Sequence, residues 1–160
     1  MSISEQTILR AAGIGADTGL ASVVAVRGNI MGMSQKAEDA VLRPKETGAF
    51  SHALRAALAA RVAGRAKDQE LADYYAEAAG EYADLVRLDA TGGAQGLEAV
   101  VTFVDRVANQ TRDIAQEDIK ALQQAGVCDP DIVRLCELVA FLAYQIRVVS
   151  GLRLMKGDGQ

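Results

Sequence analysis

The stretch RAALAARVAGRAKDQELADYYAEAAG, residues Arg55–Gly80, decides the fold. It contains two runs rich in alanine and leucine, separated by the polar segment Arg65–Gln69. Alanine has the highest intrinsic helix propensity, and apolar residues recur three and four positions apart in both runs. The whole chain has only two prolines, and no segment alternates as a strand would. The sequence therefore predicts two helices joined by a turn, within an all-α protein.

The same helical spacing continues toward both ends of the chain. Ser2 and Glu5 form a capping box for a first short helix that ends at Gly13. Asp68 is predicted as an N-cap, Gly126 as a C′ residue, and Asp129-Pro130 as the start of the last helix. Helices are predicted over residues 20–33, 35–42, 46–64, 68–86, 95–109, 116–125 and 130–150. The last of these is apolar nearly all round, which predicts a buried helix.

Length and charge limit the class of protein. A chain of 160 residues makes about one domain, and it buries enough surface to fold without a disulfide or a metal. The net charge of −4 with no basic block argues against nucleic acid as a partner. Charged residues interrupt the most apolar stretch, Ile132–Val149, so no membrane span is predicted. Cys128 and Cys136 form no CxxC pair, and the N-terminus has no signal-peptide pattern, which together predict a reducing, cytoplasmic location.

No motif for a cofactor or a metal stands out. The segment GIGADTG, Gly13–Gly19, places its third glycine one position late for a dinucleotide fingerprint, and a helical pattern precedes it instead of a strand. A helix-breaking turn is the better interpretation. His52 is the only histidine, whereas a protein metal site needs three or four ligands. We therefore expect neither a cofactor nor a metal.

Three segments resemble the carboxymuconolactone decarboxylase and alkylhydroperoxidase D family. They are LRAALAARVAG from Leu54, QELADYYAEAAG from Gln69, and FVDRVANQTRDIAQEDIKALQQAGVCDPDIVRLCELVAFLAYQIRVVSGL from Phe103. The resemblance implies an alkylhydroperoxidase D-like helical bundle over residues 45–151. It also implies an N-terminal helical extension over 1–44 and a loose tail over 152–160. Members of this family associate as trimers or hexamers, which is the oligomeric state implied here.

The peroxidase branch of that family carries Cys-x-x-Cys-x-x-x-His on one helical face, where the two thiols and the imidazole meet. In this chain the three positions fall on Asp68, Leu71 and Tyr75, and none of these residues can do thiol chemistry. The resemblance therefore implies a member that is not a peroxidase. Such a member would bind a small molecule or serve as an accessory partner of an active peroxidase-type relative.

The decarboxylase branch carries Glu-Leu-x-x-His on the same helix, and here Glu70 matches while Tyr74 replaces the histidine. Residues four apart are neighbours on a helix, so these two side chains are the candidate catalytic pair for a small carboxylate or lactone. Arg61, Asp68 and Tyr75 are the candidate substrate-binding residues. Two alternatives stay open: a helix-start glutamate beside a packed tyrosine, and a purely structural oligomeric scaffold.

Overall fold

A computed structural model of the chain describes residues 6–16 and 18–157. These residues form helices and turns without a strand, which confirms the predicted all-α class. The α-helices are α1 (Thr7–Ala11), α2 (Ala21–Val26), α3 (Gly28–Leu42), α4 (His52–Arg65), α5 (Gln69–Ala76), α6 (Glu98–Asn109), α7 (Gln116–Gln124) and α8 (Asp129–Lys156). Short 3-10 helices span Gly80–Val86, Gly93–Gln95 and Thr111–Asp113. The predicted Ser2–Glu5 capping box lies outside the described residues.

Helix α4 lies at the centre of the fold. Every residue from Leu54 to Ala63 is buried, and α4 contacts α3, α5, α6 and α8 as well as the 3-10 helix Gly80–Val86. Its small side chains let the neighbouring backbones come close, so that packing is dense without large aromatic residues. The fully buried alanines of α4 are Ala57, Ala59, Ala60 and Ala63.

Helix α4 begins later than predicted, at His52 and not at Glu46. The Ser51 hydroxyl caps it by accepting a hydrogen bond from the Leu54 amide at 3.2 Å. The segment before it, 43–51, is an irregular loop whose backbone is bound by Arg55. This guanidinium, in a residue that is 2% exposed, donates to the carbonyl oxygens of Val41, Thr47 and Phe50. These hydrogen bonds to backbone carbonyls stabilise the loop, although helix propensity alone favoured a helix from Glu46.

The break in the N-terminal helices is also displaced. The sequence predicted a helix over 20–33 and another over 35–42, whereas the chain turns at Arg27 and α3 runs on without interruption through Ser34. One face of α3 buries Ser34, Gln35, Glu38 and Leu42, and α3 packs against α8. This packing keeps α3 continuous where its local sequence is weak.

Helix α8 begins at Asp129, one position before the predicted start, and continues past Gly151 to Lys156. The tail predicted as loose from 152 is therefore helical as far as Lys156, because Arg153 binds the body of the protein. Its guanidinium donates to both carboxylate oxygens of Asp68 at 2.9 and 3.0 Å and to the carbonyl oxygen of Ala11 at 2.8 Å. Residues 158–160 lie outside the described part of the chain.

Burial of α8 is less complete than predicted. One side packs on α3, α4 and α6, but Val133, Tyr144 and Leu154 are exposed in the single chain. The sequence pattern did not distinguish a helix buried on all sides from one with apolar residues at the surface. None of the helices in the described residues is long and apolar enough to cross a membrane.

Candidate functional site

A cavity of about 410 Å³ opens beside the hairpin of α4 and α5, next to the C-terminus of α3. Its wall combines an apolar part with side chains that bear a cation, two phenols, an imidazole and a carboxylate. The lining residues are Leu42, Arg43, His52, Ala56, Tyr74, Tyr75, Glu77 and Ala78. A volume of this order suits a small organic molecule.

Arg43 is the cation in the wall. It is the C-cap residue of α3, and its side chain is 46% exposed, so a ligand in the cavity can reach it. Its Nη2 pairs with Asp39 one helical turn earlier and lies 3.6 Å from Oε1 of Glu38. A guanidinium has five N–H donors, and both of these contacts engage the same nitrogen. The other nitrogens of the guanidinium suit a carboxylate of a ligand.

A buried polar network lies behind the wall and centres on Glu38, which is 1% exposed. The Thr7 hydroxyl donates to Oε1 of Glu38 at 2.9 Å, and the Gln145 amide donates to Oε2 at 2.8 Å. The oxygen of the same Gln145 amide accepts a hydrogen bond from the Tyr75 hydroxyl at 2.7 Å. Burial raises the pKa of Glu38, because desolvation penalises the charged carboxylate more than Arg43 and the hydrogen bonds from Thr7 and Gln35 favour it.

The two tyrosines hold fixed positions between this network and the cavity. Burial raises the pKa of Tyr75 far above its usual range, so its phenol stays protonated and keeps its bond to Gln145. The Tyr74 ring lies 5.0 Å from the Tyr75 ring and carries the Arg10 guanidinium 3.6 Å from its centroid. Oxygen Oγ1 of Thr7 lies 3.4 Å from the Tyr74 hydroxyl. The tilted ring contact, the cation–π contact with Arg10 and the hydrogen bonding therefore orient both rings before any ligand arrives.

His52 is the remaining titratable group of the wall, apart from the exposed Glu77. It is the first residue of α4, and its Nε2 lies 2.9 Å from the carbonyl oxygen of Pro44. That bond orients the imidazole in the cavity wall. Within the described residues no group of histidine, cysteine and carboxylate side chains is arranged to hold a metal ion.

The predicted site residues separate into two groups. Tyr74 and Tyr75 line the cavity, whereas Asp68 and Glu70 lie beside Arg153 at the start of α5. Asp68 caps α5 by accepting from the Leu71 amide at 3.2 Å. The Glu70 side chain is 58% exposed, and its Oε2 lies 3.5 Å from Nη2 of Arg153. The structure thus does not bring Glu70 and Tyr74 to one cavity, although they are four residues apart.

Arg61 is buried elsewhere and is fully engaged by the protein. Its guanidinium forms two bonds of 2.8 Å to the carboxylate of Asp105 on α6. It also donates to three carbonyl oxygens, one in the last turn of the 3-10 helix Gly80–Val86 and two in the segment that follows that helix. These carbonyls belong to Leu85, Arg87 and Leu88. The side chain is 2% exposed, so it holds this segment against α4 and α6 and has no donor to offer a ligand.

Both cysteines are free thiols. Cys128 is exposed at the N-cap of α8, where its Sγ donates to Asp131 at 3.1 Å, and Cys136 is half-buried within the same helix. Burial raises the pKa of the Cys136 thiol, which disfavours the reactive thiolate. Neither cysteine lines the cavity.

Sequence reasoning missed Glu38, Gln145 and Thr7, the residues behind the cavity wall. A signal for two of them was present: Glu38 shares a helical face with Leu42, and Gln145 interrupts the apolar run of the last helix. A polar residue on an apolar helix face must find partners when it is buried, and here the two partner each other. Which residues would meet is not readable from the pattern.

The site as a whole is equipped to hold an anion with a compact apolar body. The guanidinium supplies positive charge, Glu77 is the exposed carboxylate of the lining, and the tyrosine rings with Leu42, Ala56 and Ala78 supply an apolar surface. No protein-family model, curated protein or solved structure matches the chain.

Proposed function

We propose that this protein binds a small molecule, a carboxylate or a lactone with an apolar body, in the cavity beside α4 and α5. The observation that carries the proposal is that Arg43, Tyr74 and Tyr75 line the same cavity of about 410 Å³. An arginine pairs with a carboxylate through two parallel hydrogen bonds, which gives both charge and direction. The apolar residues of the lining bury the ligand's hydrocarbon part.

The proposal includes membership of the carboxymuconolactone decarboxylase and alkylhydroperoxidase D-like family, as a cysteine-less member. The α4–α5 hairpin and the sequence of α7 and α8 support it, as does a cavity that lies at the hairpin. A role as accessory partner of a peroxidase-type relative belongs to the same proposal. So does assembly as a trimer or hexamer, which the exposed apolar residues of α8 support. Binding is favoured over decarboxylase-type catalysis, because Glu70 pairs with Arg153 outside the cavity wall.

The test is ligand-induced thermal stabilisation with benzoate and a panel of small carboxylates and lactones. A ligand at a hundred times its Kd adds about 2.7 kcal/mol to the free energy of unfolding. That corresponds to a rise in Tm of roughly 5–10 °C for a chain of this size. Replacement of Arg43 with glutamine is expected to weaken binding roughly 10- to 100-fold, since a charge-assisted hydrogen bond contributes about 1.5–3 kcal/mol.

The matched control is Arg87→Gln, which removes the same charge from an exposed pair with Asp89. Glu70→Gln should also leave the response unchanged, since Glu70 does not line the cavity. Equal responses from Arg43→Gln and Arg87→Gln would contradict the proposed site.

A second prediction concerns redox chemistry. The purified protein should not reduce hydroperoxides with dithiol turnover, because Asp68 and Leu71 stand in place of the thiols and both cysteines lie on α8 or at its start. Peroxide consumption in the presence of dithiothreitol, measured against a protein-free blank, checks this. Turnover that disappears in Cys128→Ser or Cys136→Ser would show that these thiols are redox-active after all.

A further inference from the structure

A buried carboxylate lies directly behind the cation of the proposed anion site. Oxygen Oε1 of Glu38 is 3.6 Å from Nη2 of Arg43, and the carboxylate is shielded from water and accepts hydrogen bonds from α1 and α8. We infer that Glu38 takes up one proton from solvent when a carboxylate binds to Arg43. The inference rests on the proposed function and adds to it the way in which binding depends on pH.

The charges around Glu38 give the reason. Arg43 is the cation that favours the ionised form of Glu38, and Asp39 on the same helix opposes it. The other groups that face this network are neutral or are engaged elsewhere. They are Thr7 on α1, Gln35 on α3, Tyr74 and Tyr75 on α5, and Gln145 on α8, with Arg10 held over the Tyr74 ring. A ligand carboxylate on Arg43 neutralises the one favourable charge and adds a repulsive charge close to the buried carboxylate of Glu38.

The network can accept the proton without losing a hydrogen bond. A proton on Oε1 of Glu38 can be donated to Oγ1 of Thr7, which lies 2.9 Å away. The Thr7 hydroxyl can then turn toward the Tyr74 hydroxyl at 3.4 Å. Oxygen Oε2 keeps the bond that it accepts from Gln145. The carboxyl therefore stays satisfied in both protonation states, which a buried group requires.

The consequence is a binding constant that depends on pH. Proton uptake makes binding tighter at low pH, provided that the ligand itself is ionised. As pH rises through the window between the pKa of Glu38 in the free protein and its higher value in the complex, affinity falls. The limiting slope is tenfold per pH unit for one proton.

Isothermal titration calorimetry with benzoate near pH 6 tests this, using MES and Bis-Tris buffers of different ionisation enthalpy. Carboxylate buffers are avoided because they would compete. We expect uptake of a measurable fraction of one proton, approaching one, for each benzoate bound. Benzamide, the neutral analogue of the same shape, should bind without uptake. In Glu38→Gln, benzoate should still bind while the uptake disappears.

Two other titratable residues line the cavity, so His52→Asn and Glu77→Gln serve as controls. Both should keep the proton uptake.

Benzoate binding without uptake in the wild-type protein would overturn the inference and leave the proposed function intact. Uptake that persists in Glu38→Gln and is lost in His52→Asn would also overturn it. If Glu38→Gln fails to fold, the affinity of the wild-type protein for benzoate is measured between about pH 5 and 7. An affinity that does not change with pH contradicts proton uptake. Absence of any binding by benzoate and by the rest of the carboxylate and lactone panel would instead defeat the proposed function.

Discussion

Replacement of Arg61 with methionine is expected to lower the free energy of unfolding by about 3–5 kcal/mol, the range for breaking a buried ion pair from one side. Methionine keeps much of the volume of the buried stem, so the effect isolates the lost hydrogen bonds. Asp105 loses two bonds of 2.8 Å, and three backbone carbonyls lose their donor. Arg65 also pairs with Asp105 and limits the loss, but Arg65 does not reach all three carbonyls.

Chemical denaturation followed by circular dichroism measures this change. The matched control is Arg87→Met, the same substitution in an exposed pair with Asp89, where we expect little change. Equal destabilisation of the two variants would contradict the structural role assigned to Arg61. The result also bears on the substrate-binding role that the sequence predicted for Arg61. A variant that stays folded should bind benzoate as the wild type does, because Arg61 does not line the cavity.

Replacement of Gln145 with leucine is expected to lower the free energy of unfolding by about 2–4 kcal/mol near neutral pH. The reason is that each buried polar group left without a partner costs about 1–3 kcal/mol. Gln145 is fully buried and bridges two other buried groups. Its loss leaves the Tyr75 hydroxyl without an acceptor and removes a donor to the Glu38 carboxylate. Gln124→Leu, on the exposed end of α7, is the matched control.

This destabilisation should depend on pH in a definite direction. The folded-state pKa of Glu38 is raised above the usual glutamate value of 4.5 already in the wild type, so above that pH the folded protein binds more protons than the unfolded chain. Stability from this group is therefore fully present below about pH 4.5 and is lost as pH rises through the folded-state pKa. Loss of a donor raises that pKa further. The Gln145→Leu deficit should thus shrink as pH falls from 7 toward 5.

Urea denaturation of wild type and variant at several pH values checks the direction. The difference between the two midpoints is the quantity to follow, because other carboxylates titrate equally in both proteins. A deficit that stays constant from pH 7 to 5, or grows as pH falls, would show that Glu38 does not sense Gln145. When the same comparison is made in proteins that carry Glu38→Gln, with and without Gln145→Leu, the difference between the midpoints should not depend on pH in this way, since the titrating group is gone.

The sequence by itself determined the helical class and several helix ends. Helix propensity is set by the residue and its near neighbours, so alanine-rich runs became α4 and much of α5, and Asp68 caps α5 as predicted. Gly126 follows the end of α7 with φ of 87°, a conformation that glycine adopts without a steric penalty. Each of these features depends on interactions within a few residues.

The tertiary structure alone decided the site. Glu38 and Gln145 are 107 residues apart, and Arg61 and Asp105 are 44 apart. No helical period relates positions so far apart. In the sequence, a buried residue with a distant partner therefore looks the same as a residue of that type at the surface. Arg61 was predicted to bind a substrate and is buried against Asp105, while Arg43 received no role and lies in the cavity wall. Whether an arginine binds a ligand or the protein itself depends on which groups surround it, and packing between distant helices determines those groups.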